Sequence, residues 1–412
     1  MKKPKKRIAG AFLGTIVEYY DYSLYGFSAG ILAEKFFPTM SKIESLTYVF
    51  AIYAISYLAK PFGSIFFSHI GDFYGRKISL RITMIGIAFP TLTIGLLPDY
   101  HSIGNLGAYI LVICRFLQGF FVAGEYDGAV IYVVEHIGKK HHYAASATAR
   151  STGVAGLLLG IAATNFFNSS IFPEWCWRIP FLLSVPLTIV TIYYRKFLEE
   201  TPEFMRSKAK NTEFSSTLSF IKKRWRTLLM VILLSGGFGV TYQVSIIFMK
   251  QYLPMVVPYT GTIITTFSVI MVLGFGLAMP VAGILADRFG CERLVKYSLL
   301  STLVASGLLI ISINHQLINL TLISCLMLAV SVAPFNALAH GVIIKAFKPN
   351  ERYRGVSLGH TTGSMLMSGT ANYVCLLFMQ KFGFNLFPIF YIGFFAIVTF
   401  VTVMLFTRTY KA

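Results

Sequence analysis

Long apolar stretches recur along the chain, separated by short polar or turn-rich breaks. A helix needs about 20 apolar residues to cross the hydrocarbon core of a bilayer. Twelve stretches of that order are present, at residues 10–32, 46–68, 78–98, 107–134, 143–168, 177–196, 228–252, 260–285, 294–313, 317–343, 356–380 and 385–407. Transmembrane β-strands are about 10 residues long and alternate apolar with polar positions, unlike these stretches. The pattern therefore predicts an all-α membrane protein with twelve transmembrane helices.

Composition and charge support that class. Hydrophobic residues make up 55% of the chain and charged residues 13%, whereas soluble proteins carry about 25% charged residues. The net charge of +19 would suggest a nucleic-acid partner on a soluble protein. Here 28 Lys and Arg residues lie on the side of the N-terminus and 5 on the other side. This asymmetry predicts a multi-pass protein of the inner (plasma) membrane with both termini in the cytoplasm, and no nucleic-acid partner.

A basic loop divides the twelve helices into two sets of six. It contains nine Lys and Arg residues, counted with the flanking Arg195 and Lys196. The predicted organisation is an N-terminal bundle at 1–196, a cytoplasmic loop at 197–226 and a C-terminal bundle at 227–412. The two halves also echo each other, because Asp72 after helix 2 and Asp287 after helix 8 are 215 residues apart. Such an offset is typical of a parallel structural repeat.

The loops around these two aspartates resemble the signature of the major facilitator superfamily, Gly-x-x-x-Asp-Arg-x-Gly-Arg-Arg/Lys. The first copy departs from it, with Ser68 in place of the leading Gly and Phe73 in place of the Arg. The second copy keeps Gly283, Asp287, Arg288 and Gly290. The resemblance implies the major facilitator fold, in which twelve helices form two pseudo-symmetric six-helix bundles.

Other motifs are similar to those of the metabolite–proton symporters, a family that includes proline/betaine, shikimate, oxoglutarate and citrate carriers. They lie at 14–27, 60–63, 115–119, 124–126, 175–181, 200–204 and 352–355. Asp127 stands where the family usually has Gly. The resemblance implies proton-coupled symport of a small polar metabolite by alternating access, driven by the proton gradient without a cofactor.

Ionisable residues interrupt the apolar helices of the first half. Each costs about 2.5 to 3.5 kcal/mol near the bilayer centre, so each is a candidate functional group. Two sets recur at helical spacing: Gly14, Glu18, Asp21 and Tyr25 on helix 1, and Arg115, Gln118, Val122 and Glu125 on helix 4. Because lipid cannot pair such groups, each stripe must face protein or a water-filled path. We expect the carboxylates and guanidinium groups of these stripes to point into a wet cavity.

We predict that a carboxylate of this cluster, Asp21 or Glu125 first, binds and releases the transported proton. A carboxylate poised between Arg115 and a low-dielectric surrounding could bind a proton at one membrane face and release it at the other. Glu18 and Arg150 complete the candidate coupling set. The alternative is that Arg115, Glu125, Arg150 and Glu18 form structural pairs that hold helices together. Asp127 is expected at a contact between helices.

The two repeated loops predict a gate on the cytoplasmic side. Asp72 is expected to meet the N-terminus of helix 11, and Asp287 the N-terminus of helix 5, because a helix N-terminus carries partial positive charge. Arg76 and Arg293 are expected to meet acidic residues at the ends of helices 4 and 10. The remaining candidate gate residues are Gly75, Glu135, Arg288 and Glu351. The alternative to a gate is that both loops are ordinary tight turns on the cytoplasmic side, whose charges serve only to orient the protein in the membrane.

Aromatic and polar residues bear on the substrate. Tyrosines crowd helix 1 at positions 19, 20, 22 and 25, and Tyr242 with Gln243 could face them. Tyrosine faces stabilise quaternary ammonium groups, so the cluster slightly favours a proline- or betaine-like zwitterion over an organic acid as substrate. The alternative is that these tyrosines belong to an aromatic belt at the membrane–water interface. The second half is polar but nearly uncharged, with Asn336, His340, His360 and Asn372.

Several other classes of function lack their motifs. No phosphate-binding Gly-x-x-x-x-Gly-Lys-Ser/Thr loop and no metalloprotease or serine-hydrolase motif occurs, so we predict neither ATP-driven transport nor an enzyme. The five scattered cysteines indicate no disulfide framework, and no metal site is expected. The basic N-terminus is not expected to be a cleaved signal peptide. We expect a monomer whose partners are a small molecule, protons and lipid; an uncoupled organic-acid facilitator and a transport-inactive sensor are the alternatives.

Overall fold

The computed structural model describes residues 3–73, 76–137, 141–196, 217–257, 261–347 and 349–409. This part of the chain contains helices and no strand. The first six long helices are α1 (Lys3–Phe27, continued by Ala29–Phe36), α2 (Lys42–Phe73), α3 (Arg76–Leu96), α4 (Leu106–Ile137), α5 (His142–Phe167) and α6 (Ser184–Arg195). They follow the predicted order.

The second six helices begin after the segment 197–216. They are α7 (Thr217–Tyr242, continued by Met249–Val256), α8 (Gly261–Phe289), α9 (Cys291–Asn314), α10 (Ile318–Lys345), α11 (Pro349–Gly363, continued by Ala371–Phe382) and α12 (Phe387–Thr409). Short helices at Tyr100–Ile103, Glu174–Arg178 and Ile179–Leu182 lie in or beside the connections.

The largest differences from the predicted boundaries concern α6 and α7. α7 begins at Thr217, inside the segment 197–226 that was predicted as a loop, and it includes the basic residues at 222–224. Hydropathy marks the part of a helix that crosses lipid, so a charged extension into water is missed. The predicted helix 177–196 is divided, because the short helix Ile179–Leu182 ends before α6 starts at Ser184.

Two long helices contain a π-helical turn. Gln243–Phe248 interrupts α7, and Ser364–Ser368 interrupts α11. The wider turn changes which side chains face a given direction, and such turns occur frequently at functional sites. Hydropathy along the sequence carries no signal for them.

The molecule has the surface of a membrane protein. Within the described residues, nine helical segments are long and apolar enough to cross a bilayer. Large apolar side chains point outward along them, for example Phe89, which is 66% exposed, and Leu277, which is 71% exposed. The spans α1, α5 and α11 are not among the nine, and each of them carries polar side chains into the interior. The chain is therefore an integral membrane protein.

The buried apolar residues of both halves form one continuous core, and the halves meet along two seams. In the first half α1 packs against α5, and α2 against α4; in the second half α7 packs against α11 and α12. Between the halves, α5 packs against α8 and α10, and α2 packs against α11. A Cβ atom at Gly119 of α4 would lie 1.7 Å from the Ser56 carbonyl oxygen of α2. Glycine is therefore required there, because the two backbones approach so closely.

Candidate functional site

A cavity lies between the two halves. The first half contributes mainly polar groups from α1, α2 and α5: Glu18, Tyr19, Tyr22, Ser23, Tyr53, Tyr57, Lys60 and Arg150. The second half contributes groups from α7, α10 and α11, including Tyr242, Gln243, Asn336, His360, Ser364 and Ser368. Both π-helical turns supply lining residues, so the irregular turns shape this space.

The stripe predicted on helix 1 divides between the cavity and the bundle interior. Glu18 lines the cavity, whereas Asp21 is fully buried and does not. The Ser184 hydroxyl lies beside Asp21, yet neither carboxylate oxygen makes a hydrogen bond of normal geometry within the described part of the chain. Tyr25 is also enclosed, and its hydroxyl donates to the carbonyl of Val49 over 3.3 Å. The expectation that the carboxylates of this stripe face a wet cavity was wrong for Asp21.

The stripe on helix 4 is likewise turned into the first half. Arg115 is fully buried, and its guanidinium donates to Gln118 Oε1 over 2.7 Å and to Ser56 Oγ over 3.0 Å. Gln118 in turn donates to Thr91 Oγ1 over 2.8 Å. Val122 lines the cavity, but Arg115 and Gln118 do not. The expectation that the Arg115 guanidinium points into a wet cavity was therefore wrong. Among the residues that the structure describes, Arg115 forms no ion pair. The rings of Tyr22, Tyr25 and Tyr53 lie 4.5 to 4.9 Å from its guanidinium carbon.

Several predicted residues lie outside the described part of the structure. On α4 the side chains of Glu125, Asp127 and Glu135 are not described, nor are those of Asp72 and Arg76 around the first repeated loop. Gly75 and the side chain of Glu351 fall outside it as well. The roles assigned to these residues stay predictions.

Arg150 joins the two halves beside the cavity. Its guanidinium nitrogen lies 2.5 Å from His340 Nδ1, and the His340 ring is 4.8 Å from that of His360. Arginine only donates hydrogen bonds, so His340 Nδ1 is the acceptor and carries no proton there. The Phe238 ring lies 5.0 Å from the Arg150 guanidinium. Arg150 and His360 line the cavity, so a positive charge of the first half meets two imidazoles of the second.

Three tyrosines from α1 and α2 form one aromatic cluster on the cavity wall, here called the tyrosine box. The rings of Tyr22, Tyr53 and Tyr57 lie 5.6 to 5.7 Å from one another. Lys60 Nζ sits 3.9 Å from the Tyr57 ring centre and 4.6 Å from that of Tyr22. Gln243 of the second half donates to the Tyr53 hydroxyl over 3.3 Å. The box therefore lies at the boundary between the halves.

Contacts link the two halves at the end of the bundle at which α1 begins and α12 ends, here called the terminal face. Asp287, at the end of α8, accepts hydrogen bonds from the backbone N–H groups of Tyr143 (3.1 Å) and Ala144 (2.9 Å) in the first turn of α5. His142 lies 2.8 Å from the Gly341 carbonyl of α10. Arg288 and Arg293 are exposed at the same end.

At the opposite end, here called the far face, a lysine links the two halves. Lys250 of α7 donates to Asn165 Oδ1 near the C-terminal end of α5 over 3.1 Å. The Phe27 carbonyl, where α1 breaks, lies 3.5 Å from the same ammonium group. A helix favours a negative group at its N-terminus and a positive group at its C-terminus. Asp287 thus lies at the N-terminus of α5 and Lys250 near its C-terminal end, so each charge is favourable for the end of the helix that it contacts.

Two family models match the chain, one in each half. The model described as "Sugar (and other) transporter" matches residues 8–226, and that of the major facilitator superfamily matches residues 245–412. The proline/betaine transporter of Escherichia coli (strain K12) is 30% identical over 97% of this chain and 83% of its own length. The chain belongs to the major facilitator superfamily. It is thus a membrane transporter and not an enzyme.

Other comparisons agree with this membership of the major facilitator superfamily. The glycine betaine/proline/ectoine/pipecolic acid transporter OusA of Dickeya dadantii (strain 3937) is 29% identical over 97% of this chain and 82% of its own length. The proton:xylose symporter XylE bound to 6-bromo-6-deoxy-D-glucose matches with a TM-score of 0.79, covering 99% of this chain and 95% of that structure at 15% identity. The partially occluded, inward-open XylE of E. coli gives a TM-score of 0.77 at 17% identity, over 100% and 98% of the two chains. These solved structures confirm the predicted fold.

In this major facilitator protein, sequence reasoning missed part of the cavity wall. Tyr53 and Tyr57 were not singled out, and Lys60 was noted only within a motif. Their spacing of four and three residues places all three on one face of α2. This helical spacing is the sequence feature that could have identified them. Arg195 entered the prediction only as a charge that flanks the basic loop, but it is buried at the end of α6, where it donates to the Leu80 carbonyl.

Proposed function

We propose that this chain is a proton-coupled symporter of small zwitterions of the proline and betaine type. The proposal rests on the relatives, which are named for such substrates, and above all on one observation. The central cavity carries buried side chains of both charges together with aromatic faces: Glu18, Lys60, Arg150 and the tyrosine box. A zwitterion needs partners for one positive and one negative group, whereas an organic dianion needs only positive partners.

Asp21 is our first candidate for the proton carrier. An ionised carboxylate without hydrogen-bond partners is costly inside a bilayer, and a bound proton removes that cost. The enclosed position of Asp21, on the side of α1 that faces Ser184 of α6, therefore favours the proton-loaded form in this structure. Glu18 is three residues away on the same helix and lines the cavity. Glu18 is thus positioned to respond to substrate, and Glu125 remains a second candidate carrier.

Alternating access would follow from rocking of the two bundles, 1–196 and 227–412, about the central cavity. The Asp287 contact would hold the terminal face shut, and the Lys250 contact would hold the far face shut. Opening either face requires one of these contacts to break. We assign Asp72, Gly75, Arg76, Glu135, Arg288, Arg293 and Glu351 to the same gating region as Asp287, in keeping with the repeated loops.

We place the terminal face in the cytoplasm of a cell whose inner membrane holds the transporter. The distribution of Lys and Arg supports this orientation, since positive loops are retained on the cytoplasmic side. The functional unit in this proposal is one chain, because the cavity is complete between its own two halves. A proton gradient supplies the energy, so no cofactor is involved.

A ligand panel with the purified protein tests the substrate class. A ligand at 100 times its dissociation constant stabilises the state it binds by about 2.7 kcal/mol. We expect proline and glycine betaine to raise the melting temperature, and citrate, oxoglutarate and shikimate to leave it unchanged. Radiolabelled uptake into proteoliposomes should show the same selectivity. Stabilisation by the organic acids alone would contradict the zwitterion proposal.

A further inference from the structure

Asp21 is enclosed in the first bundle and does not line the central cavity. A proton that Asp21 binds or releases must therefore pass through the groups that surround this carboxyl. The Ser184 hydroxyl, in the first turn of α6, lies beside it. The side chains that α6 turns toward the interior thus bear on where the proton can go.

The buried face of α6 is entirely polar. Four residues of this helix are buried, at intervals of four, three and four positions: Ser184, Thr188, Thr191 and Arg195. This spacing places them in one row along the helix, here called the polar row. Apolar side chains of α6 point outward instead, for example Ile189, which is 63% exposed. The helix therefore turns its hydrogen-bonding groups into the bundle and its apolar groups toward lipid.

The polar row runs from Asp21 toward the terminal face. Ser184 marks the Asp21 end. At the other end Arg195 donates to the Leu80 carbonyl of α3, and its guanidinium lies against α1 where a Cβ atom at Gly14 would clash with it. Gly14 is seven residues before Asp21 on α1, about two turns nearer the terminal face. The row therefore connects the enclosed carboxyl with that face.

Two hydroxyls of the row are not bonded to their own helix. Thr191 donates to the Leu187 carbonyl over 2.9 Å, a common bond of threonine in a helix. The hydroxyls of Ser184 and Thr188 are buried and make no hydrogen bond of normal geometry within the described part of the chain. Buried hydroxyls are nearly always bonded to protein or to water. Ser184 and Thr188 are therefore suited to hold water beside Asp21.

The spacing of the row also suits water. Successive residues of the row are about 4.5 to 6 Å apart along the helix axis, which is too far for direct hydrogen bonds between hydroxyls and suitable for one bridging water molecule at each step. A hydroxyl can accept a proton on one side while it donates its own on the other. Such a chain passes a proton along without any hydroxyl becoming charged.

We infer that the polar row is the path by which the transported proton moves between Asp21 and the terminal face, separate from the path of the substrate through the cavity. This inference rests on the proposed proton-coupled symport. In the release direction, the Asp21 carboxyl gives its proton to a bridging water, and Ser184 and Thr188 each pass on one proton as they accept another. Asp21 is left as a carboxylate, and the proton leaves at the terminal face.

Arg195 prevents the row from being an open proton leak. A row that conducted freely would dissipate the proton gradient without moving substrate. A fixed positive charge opposes the passage of protons, and Arg195 places such a charge at the terminal end of the row, between α1 and α3. The path is therefore closed at its end in this structure.

Thr188→Val tests the path, because valine keeps the shape of threonine and removes its hydroxyl. A positioned proton-transfer group contributes about 100- to 10,000-fold to a rate that it limits. We therefore expect the acidification of proteoliposomes that glycine betaine drives to slow by about 10-fold or more. Counterflow of labelled betaine at equal pH needs only the proton-loaded form and should keep its wild-type rate. Ser184→Ala is a second variant with the same expected result.

Thr188→Ser separates proton transfer from packing. Serine restores the hydroxyl but lacks the methyl group, so acidification should return toward the wild-type rate, whereas a packing role would make serine worse than valine. In D₂O, acidification by Thr188→Val should slow more than that by the wild type, because proton transfer then limits the rate. Thr402→Val is the matched control, since Thr402 is buried in α12 and donates to the Val398 carbonyl of its own helix.

The outcomes distinguish the path from the symport on which it rests. Wild-type acidification rates in both Thr188→Val and Ser184→Ala would overturn the path and leave the symport standing. Thr188→Ser as slow as Thr188→Val, or loss of counterflow together with acidification, would also overturn the path, because the row would then serve only to pack α6. Betaine entry through the wild type without acidification would contradict the proposed symport itself.

Discussion

Replacement of Asp21 by Asn should abolish uphill accumulation while leaving substrate exchange partly intact. One proton moving through 100 mV supplies about 2.3 kcal/mol, which supports about 50-fold accumulation of a zwitterion that travels with it. Asn has the shape of a protonated carboxyl group but cannot release a proton. Without that release the accumulation ratio should fall to about 1, while exchange needs only the proton-loaded form. Proteoliposomes with an imposed membrane potential measure the ratio, and counterflow measures exchange.

The matched control for this change is Glu34→Gln. Glu34 is an exposed acid on the far-face continuation of α1, so the same chemical change is made outside the bundle interior, and accumulation should be retained.

Glu125→Gln is expected to behave as Asp21→Asn does if Glu125 also carries the transported proton. Full accumulation in both Asp21→Asn and Glu125→Gln would contradict the assignment of the carrier to this cluster.

Asp287→Ala should open the terminal face. The Asp287 carboxylate accepts two backbone hydrogen bonds at the N-terminus of α5, and a hydrogen bond to a charged group contributes about 1.5 to 3 kcal/mol. Loss of this contact should shift the population toward the terminal-open state by about 10- to 100-fold. Cys291 reports the change, because it is buried beside Tyr143 at this face. Its labelling by a membrane-permeant maleimide should accelerate accordingly.

Two comparisons separate gating from a general loss of stability. Cys325 is fully buried within α10, and it should stay unlabelled in Asp287→Ala if the bundles remain folded. Lys250→Met removes the contact at the far face instead, so it should slow the labelling of Cys291 by favouring closure of the terminal face. Equal labelling of Cys291 in the wild type and Asp287→Ala would show that this contact does not control the gate.

The number, order and class of the helices could be predicted because lipid imposes a strong rule. A crossing helix must be largely apolar and must satisfy its own backbone, so twelve long, mostly apolar stretches indicate twelve helices. The contact of Asp287 with α5 also had a local signal, since the repeated loop and the start of α5 are both visible in the sequence. Such features depend on residues close together in the chain or on a repeat.

The distribution of the buried charges could not be predicted in the same way. Helical spacing placed Glu18, Asp21 and Tyr25 on one face, but a face about 100° wide can border both a cavity and a neighbouring helix. Which side chain reaches the cavity depends on how α1 is rotated against α5 and α6. The pairing of Arg150 with His340 joins residues 190 positions apart, and the π-helical turns that shape α7 and α11 have no hydropathy signal.

Substrate-driven proton movement tests the central claim most directly. Proteoliposomes containing the wild-type protein and an internal pH indicator would receive external glycine betaine, with no proton gradient imposed and the membrane potential clamped. The account predicts acidification of the interior that follows substrate entry at about one proton per molecule and is absent in Asp21→Asn. Entry of betaine at a normal rate without any change of internal pH would contradict proton-coupled symport and indicate a facilitator.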